Sequence, residues 1–417
     1  MQQLSYIVSG TADAHHKAEQ AKEKLDRIPH IESLLITIAA PCEMPLAKAV
    51  RMRDAVRELF PEARILAHTC TIKMVDMRLD IKGVMLTFTA FEASQVDFVV
   101  VDGNTADAAT TTAFVDFVAA RPQTKAIEFF VVGMMDQIDG LFDGISAIDE
   151  RIEVFGAFVD AEPMNAYGYL VADDAMTQLG MAAVVFHGET LEVHMTRNFG
   201  WNELGCQIVA TRVEGCTIVE LNGDRPLKIY ERYFGIKEVG NFSADAALFP
   251  LCFEETDGSI SARVPLRIEE ETGALTFGIP MQAGTKFRLA YGDPYGILSK
   301  AAENARSMSA FSPQVVMGAA CVGHYLLLGD DVVTEMTPCT GFPSAIPFIF
   351  GEVRRVGKRI STVHLNVMLV GMKEDPGYVT NIQLQLKRVE HLSYNRKMLA
   401  FMSHFIRVSE EELHTAN

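Results

Sequence analysis

FGWNELGCQIVATRVEGCTIVELNGDRPLKIYERYFG, residues 199–235, decides the fold class. Two β-rich runs, CQIVATRV and CTIVELN, meet at Glu214-Gly215, and the spacing predicts an antiparallel hairpin. PLKIYERYFG follows as a helix opened by Pro226 and ended by Gly235. Upstream, helix and strand alternate. TADAHHKAEQAKEKLDRI sets Ala18, Ala21, Leu25 and Ile28 at helical spacing, SLLITIAA reads as a buried strand, AVRMRDAVRELF as a helix stopped by Pro61, and ARILAHTC as a strand. Strands are also expected at GVMLTFTAF, DFVVVDG, AIEFFVVGM, IEVFGAFVD and MAAVVFHG. VVFHGETLEVHM reads as a hairpin about Gly188, which would make His187 and His194 cross-strand neighbours. Downstream come a strand pair around Thr272-Gly273, the helix PYGILSKAAENARSM, and strands at VVMGAAC, PFIFGEV and TVHLNVMLVGM. The expected fold class is α+β, a mixed αβ protein. Two intimately packed lobes of mixed and antiparallel sheets flanked by helices would span residues 1–222 and 223–388, with a C-terminal helix in 389–417.

Composition limits the partners. The 417 residues exceed what one hydrophobic core usually organises, and 49% are hydrophobic. A net charge of −17 repels phosphate backbones and anionic headgroups, so neither nucleic acid nor a membrane surface is expected as a partner. No apolar run reaches the ~18 residues of a spanning helix, and MQQLSYIVSG lacks the regions of a signal peptide, so the chain reads as cytoplasmic. Its seven cysteines form no CxxC pair, which points to reduced thiols.

Several short stretches mark candidate chemistry. In GAACVGHYLLLG, Cys321 and His324 flank Gly323 at a break between apolar runs. A thiol and an imidazole so spaced can form a nucleophilic pair, touch a small ligand, or pack at a strand end. In TVHLNVMLV, strand alternation places Thr362, His364, Asn366 and Met368 on one face, which looks into a pocket or into water. Glu352 in FGEV can bind a ligand amine or guanidinium, or hold Arg354 or Arg355. Trp201, the single tryptophan, either covers a pocket or anchors the halves.

From about Ile31 to Met372 the landmarks come in an order that resembles the FIST sensory module. The Gly200-Trp201 pair with its strand, turn and Tyr-ended helix is followed by ALFPLCF, GALTFGIPMQAGTKFRLAYGD, ACVGH, FIFGEV and VHLNV. The resemblance implies FIST N-terminal-like and C-terminal-like lobes and a sensor of small molecules. It implies an output domain or signalling partner, a diguanylate cyclase or histidine kinase, and for some members haem and nitric oxide. On that reading haem is a candidate cofactor, with His364 the preferred iron ligand and His324 or His68 behind it. The turn that is Gly-Cys-Ser-Thr in the family stands here as AHTCT, which adds His68 and Cys70 to the candidate ligand-binding set. His324 replaces the usual arginine after Cys-x-Gly, and Val367 the usual threonine. The competing reading is a cysteine-dependent enzyme using Cys321 with His324 or His364.

In the tail, Leu392, Leu399, Ile406 and Leu413 recur every seven residues, with Met398, Met402 and Phe405 widening the stripe. Such a row predicts a helix that pairs with its own copy in a homodimer, or one that packs back on its domain.

Overall fold

The computed structural model describes residues 1–133, 138–159, 168–236, 242–380 and 396–416. Leu392 and the 388/389 boundary lie outside them. The chain is a mixed αβ protein of four sheets flanked by helices, with a C-terminal helix Arg396–Ala416.

Three of the sheets share one strand plan. Across the first, the order is Gln2–Val8, Val84–Phe91, Ser33–Pro41, Arg64–Cys70, then the hairpin Leu170–Ala172 and Ala175–Thr177. Across the second it is Gln95–Asp102, Gly180–His187, Thr124–Val132, Glu153–Phe158, then the hairpin Gly351–Val356 and Arg359–Val363. Across the third it is Glu192–Asn198, Val367–Lys373, Val315–Cys321, Ala345–Ile349, then the hairpin Ile72–Val75 and Arg78–Asp80. In each, the third and fourth strands are parallel and the remaining pairings antiparallel. Each sheet is closed by a hairpin lent from another, in a cycle: the first lends to the third, the third to the second, the second to the first. The molecule is a pseudo-threefold arrangement locked by exchanged hairpins.

The inner faces of these sheets meet in one core, where Leu66 and Met85 pack with Phe130, Phe155, Met317 and Met368. Helices cover the outer faces. Thr11–Leu25 buries Ala14, Ala18, Ala21 and Leu25 at the predicted three-to-four spacing against the first sheet, beside Leu46–Arg57. Ala108–Ala119, opened by an Asp107–Thr110 capping box, and Ile138–Ile145 cover the second. Strands buried on both faces explain why runs such as AIEFFVV are apolar but for Glu128.

The fourth sheet is inserted between Glu192–Asn198 and the helix Pro294–Phe311. Its order is Ile260–Arg263, Leu251–Glu254, Lys286–Gly292, Trp201–Glu214, Thr217–Leu221, Leu275–Thr276, Arg267–Ile268. The hairpin predicted at Glu214-Gly215 is the Trp201–Glu214 and Thr217–Leu221 pair. Among the described residues no helix is long and apolar enough to cross a membrane.

Three readings are corrected. Gly180–His187 and Glu192–Asn198 do not pair; they lie in the second and third sheets, His187 bonding Asp97 and His194 bonding Ser307. PFIFGEV is two strands in different sheets. TVHLNVMLVGM is likewise broken, with Leu365 at φ 61° turning the chain from Arg359–Val363 of the second sheet into Val367–Lys373 of the third. Alternation failed there because the chain changes sheet, so both sides of the run are buried.

Candidate functional site

That turn builds the site. Val315–Cys321, buried along its whole length, ends at Cys321, which stands at the N-cap of the helix Val322–Leu328. The lent hairpin strand Gly351–Val356 brings in Glu352 opposite Ala157, and residues 364–366 cross between them. Three residues interlock. The backbone N–H of Cys321 donates to the Asn366 carbonyl at 2.8 Å, and that of Asn366 to Glu352 Oε2 at 3.0 Å. The Cys321 thiol lies within hydrogen-bonding range of the Glu352 carboxyl, with the N–H groups of Gly323 and Leu365 turned to its sulfur. Gly323 is required by this approach, since a Cβ there would run into Leu365.

Two acceptors in this cluster are orphaned. Glu352 is 0% and Asn366 1% exposed, yet Glu352 Oε1 and Asn366 Oδ1 have no hydrogen-bond partner among the described residues. Leaving a buried polar atom unpaired costs about 1–3 kcal/mol, so each of these oxygens has unused capacity for a hydrogen-bond partner. Burial pushes the Glu352 carboxyl up to about 8, against hydrogen bonds from Asn366 and Cys321 and the charge of Arg197. Burial first, then the nearness of Glu352, raises the Cys321 thiol well above its ordinary range, so little thiolate is present at neutral pH.

The pseudo-threefold plan sets this cluster in context. Register places Lys73, Leu170 and Glu352 at equivalent hairpin positions, opposite Pro347, His68 and Ala157. Only Glu352 is an acid. Lys73, fully buried, donates to the Ile81 carbonyl at 2.8 Å.

The other predicted residues take separate places. His324 is buried, its Nδ1 2.9 Å from Glu335 Oε2 and its Nε2 3.1 Å from the Leu365 carbonyl, and Asn198 donates to Glu335 at 2.6 Å. Trp201 packs edge-on against the His324 ring at 4.9 Å and donates to the Ala247 carbonyl. Both hold the inserted sheet to the third sheet. His364 adjoins the cluster through its carbonyl, which accepts from Asn366 Nδ2 at 2.8 Å, while its ring Nδ1 accepts from the Val264 N–H at 3.0 Å. Burial, then the charge of Arg263, lowers His364 to about 3. His68 and Cys70 face the three-sheet core instead. His68 lines a chamber of about 30 Å³ near the pseudo-threefold axis, together with Thr37, Met317 and Glu128.

Haem does not fit these histidines. An axial imidazole needs a free lone pair on the nitrogen facing iron. His364 spends its lone pair on the Val264 N–H, so its second nitrogen carries the proton. Each His324 nitrogen faces an oxygen. His68 donates from Nδ1 to the Thr69 carbonyl, and its free Nε2 faces a chamber with room for about one water.

Sequence reasoning passed over Glu128, Arg197 and Arg263. A lone Glu inside AIEFFVV was a usable signal, because an acid in a doubly buried strand is costly. Arg197 and Arg263 carried none, each being one cation beside a strand end.

A family model for the FIST N domain matches residues 35–224, and one for the FIST C domain matches 226–354. No curated protein matches the chain.

Proposed function

We propose that this chain, which belongs to the FIST family of sensory domains, binds a small polar molecule that offers both a hydrogen-bond acceptor and an N–H or O–H donor, such as an amide, at the Cys321–Glu352–Asn366 cluster. The observation that carries this reading is the pair of buried oxygens without a partner among the described residues, Glu352 Oε1 and Asn366 Oδ1. Glu352, protonated at neutral pH, would donate through Oε1, Asn366 would accept through Oδ1, and Cys321 would wall the site. The cluster adjoins strands from both family halves, so a ligand favouring one arrangement of them would shift the population toward it. His364 bridges to Ala262 of the inserted sheet, and the tail helix packs on that insertion through Phe405 against Phe234 and Phe401 against Phe249. This gives a route from ligand to tail, and from the tail to a cytoplasmic output domain or partner such as a diguanylate cyclase or histidine kinase. We also propose the division at 222/223 as the boundary of the two sensory halves.

The geometry favours binding over nucleophilic catalysis: the Cys321 thiol is held protonated, and the hydrogen bonds of His324 and His364 commit their rings elsewhere. A thermal-shift panel of small amides, amines and nucleobases tests the reading. At least one compound is expected to raise Tm, with the shift abolished in Glu352→Leu. No shift with any compound, or an equal shift in the variant, contradicts it.

A further inference from the structure

Three arginines converge beside that cluster, from three different sheets. Arg354 donates through Nη2 to Ser259 Oγ at 3.0 Å and Ser261 Oγ at 3.4 Å, and through Nη1 to the Arg355 carbonyl at 3.2 Å. Arg197 donates to the Ile260 carbonyl at 3.5 Å. Arg263 donates to the Ala262 carbonyl at 3.2 Å and lies 4.7 Å from the centre of the Phe253 ring. All three guanidinium groups thus lie along the stretch 259–262, close enough that Arg197 and Arg263 each repel the charge on Arg354.

Donors exceed acceptors here. A guanidinium carries five N–H donors. Together the three side chains make five hydrogen bonds among the described residues, every one to a neutral oxygen. Arg354 is 5% exposed, and its Nε is buried without a partner. The carboxylates close enough to act on these charges are Glu255, Asp257, Glu352 and Asp139, and among the described residues none forms an ion pair with the three arginines. Asp257 spends its oxygens on Ser259 and the Gly357 N–H, and Glu255 Oε1 is itself buried and unpaired. Burying guanidinium groups without ion pairs is expensive, and an anionic acceptor arriving from outside would offset that cost. Arg197 also lines an open pocket of about 420 Å³ with Asn202, Asp293 and Lys300, which gives a route in.

We propose that Arg197, Arg263 and Arg354 form a binding site for a small oxyanion, a carboxylate or a phosphate, entered through the pocket that Arg197 lines. The planar forks match either group. The site does not rest on the Cys321–Glu352–Asn366 reading: Glu352→Leu should leave oxyanion binding in place while removing the ligand of that cluster.

Calorimetric titration of the full chain with inorganic phosphate and, separately, succinate at low ionic strength tests it. Binding of at least one at millimolar concentration is expected; phosphate alone assigns the phosphate class, succinate alone the carboxylate class. Arg354→Gln should weaken binding by about tenfold or more, and Arg197→Lys, which keeps the charge but loses the fork, by several-fold. Arg121→Gln, in the connection between Ala108–Ala119 and Thr124–Val132, should bind as the parent does. If Arg354→Gln fails to fold by circular dichroism, Arg197→Lys decides. No binding of either probe, or parent-like binding in the arginine variants, overturns the proposal.

Discussion

At the scale of single residues, the chain stores free energy in groups held against their ordinary protonation. Burial raises Glu128 and Glu352 each to about 8, and lowers His68 to about 4 and His364 to about 3. The unfolded chain releases its glutamate protons near pH 4.5 while the folded chain keeps them to about 8, so these carboxyls make stability fall as pH rises across that window. The histidines act oppositely: the unfolded chain takes up protons below pH 6.5 and the folded one does not, so stability is lost as pH falls from 6.5 toward 4. Between about 6.5 and 8 only the glutamate effect remains, at most roughly 1.4 kcal/mol per pH unit for each carboxyl. Urea unfolding is therefore expected to show declining stability from pH 6.5 to 8, with a shallower decline in Glu128→Gln. A parallel decline in the variant would contradict the assignment for Glu128, which forms no hydrogen bond among the described residues.

At the scale of elements, the tail helix packs back on its own domain, the second of the two expectations for it. Met398, Phe401, Met402 and Phe405 pack on the inserted sheet and its helix Pro226–Phe234, the His404 ring lying 3.0 Å from the Arg232 carbonyl. Leu399 and Ile406 point outward at 50% and 53% exposure. One stripe docks, and the two members of the seven-residue row whose side chains are described stay exposed. Phe405→Ala is expected to cost about 2 kcal/mol in chemical unfolding, because it opens the docked side. Leu399→Glu should leave that stability within about 0.5 kcal/mol and abolish any dimer seen by sedimentation. Lost stability in Leu399→Glu would show that the row is not free. Individual elements were largely legible: Thr11–Leu25, Ser33–Pro41 and Pro294–Phe311 follow from periodicity and punctuation alone. Pairing was less so. The residues around Gly188 read as a hairpin and Thr362 to Met372 as one strand because alternation reports burial, and burial persists where a strand leaves one sheet for the next.

At the scale of the whole molecule, the three-sheet plan was hidden because its decisive contacts are non-local. Ile72–Val75 pairs with Ala345–Ile349, and Gly351–Val356 with Glu153–Phe158, so no window of sequence contains both partners. The equivalent positions Lys73, Leu170 and Glu352 share no chemistry, which removes the internal repeat from view. The site was legible in part. Cys321, Gly323, Glu352 and Asn366 were each singled out and the fold brings them together. His68 and Cys70 sit on another sheet, and His324 is occupied with Glu335. What no spacing rule supplies is that Glu352 and Asn366 each keep an oxygen unpaired among the described residues.

That unpaired state is the centre of the account, and native mass spectrometry of protein purified gently from cells tests it most directly. The parent chain should carry a small-molecule mass excess that disappears on denaturation and is absent from Glu352→Leu, with no haem absorbance in either. A parent chain of bare polypeptide mass, or the same adduct on the variant, would contradict it.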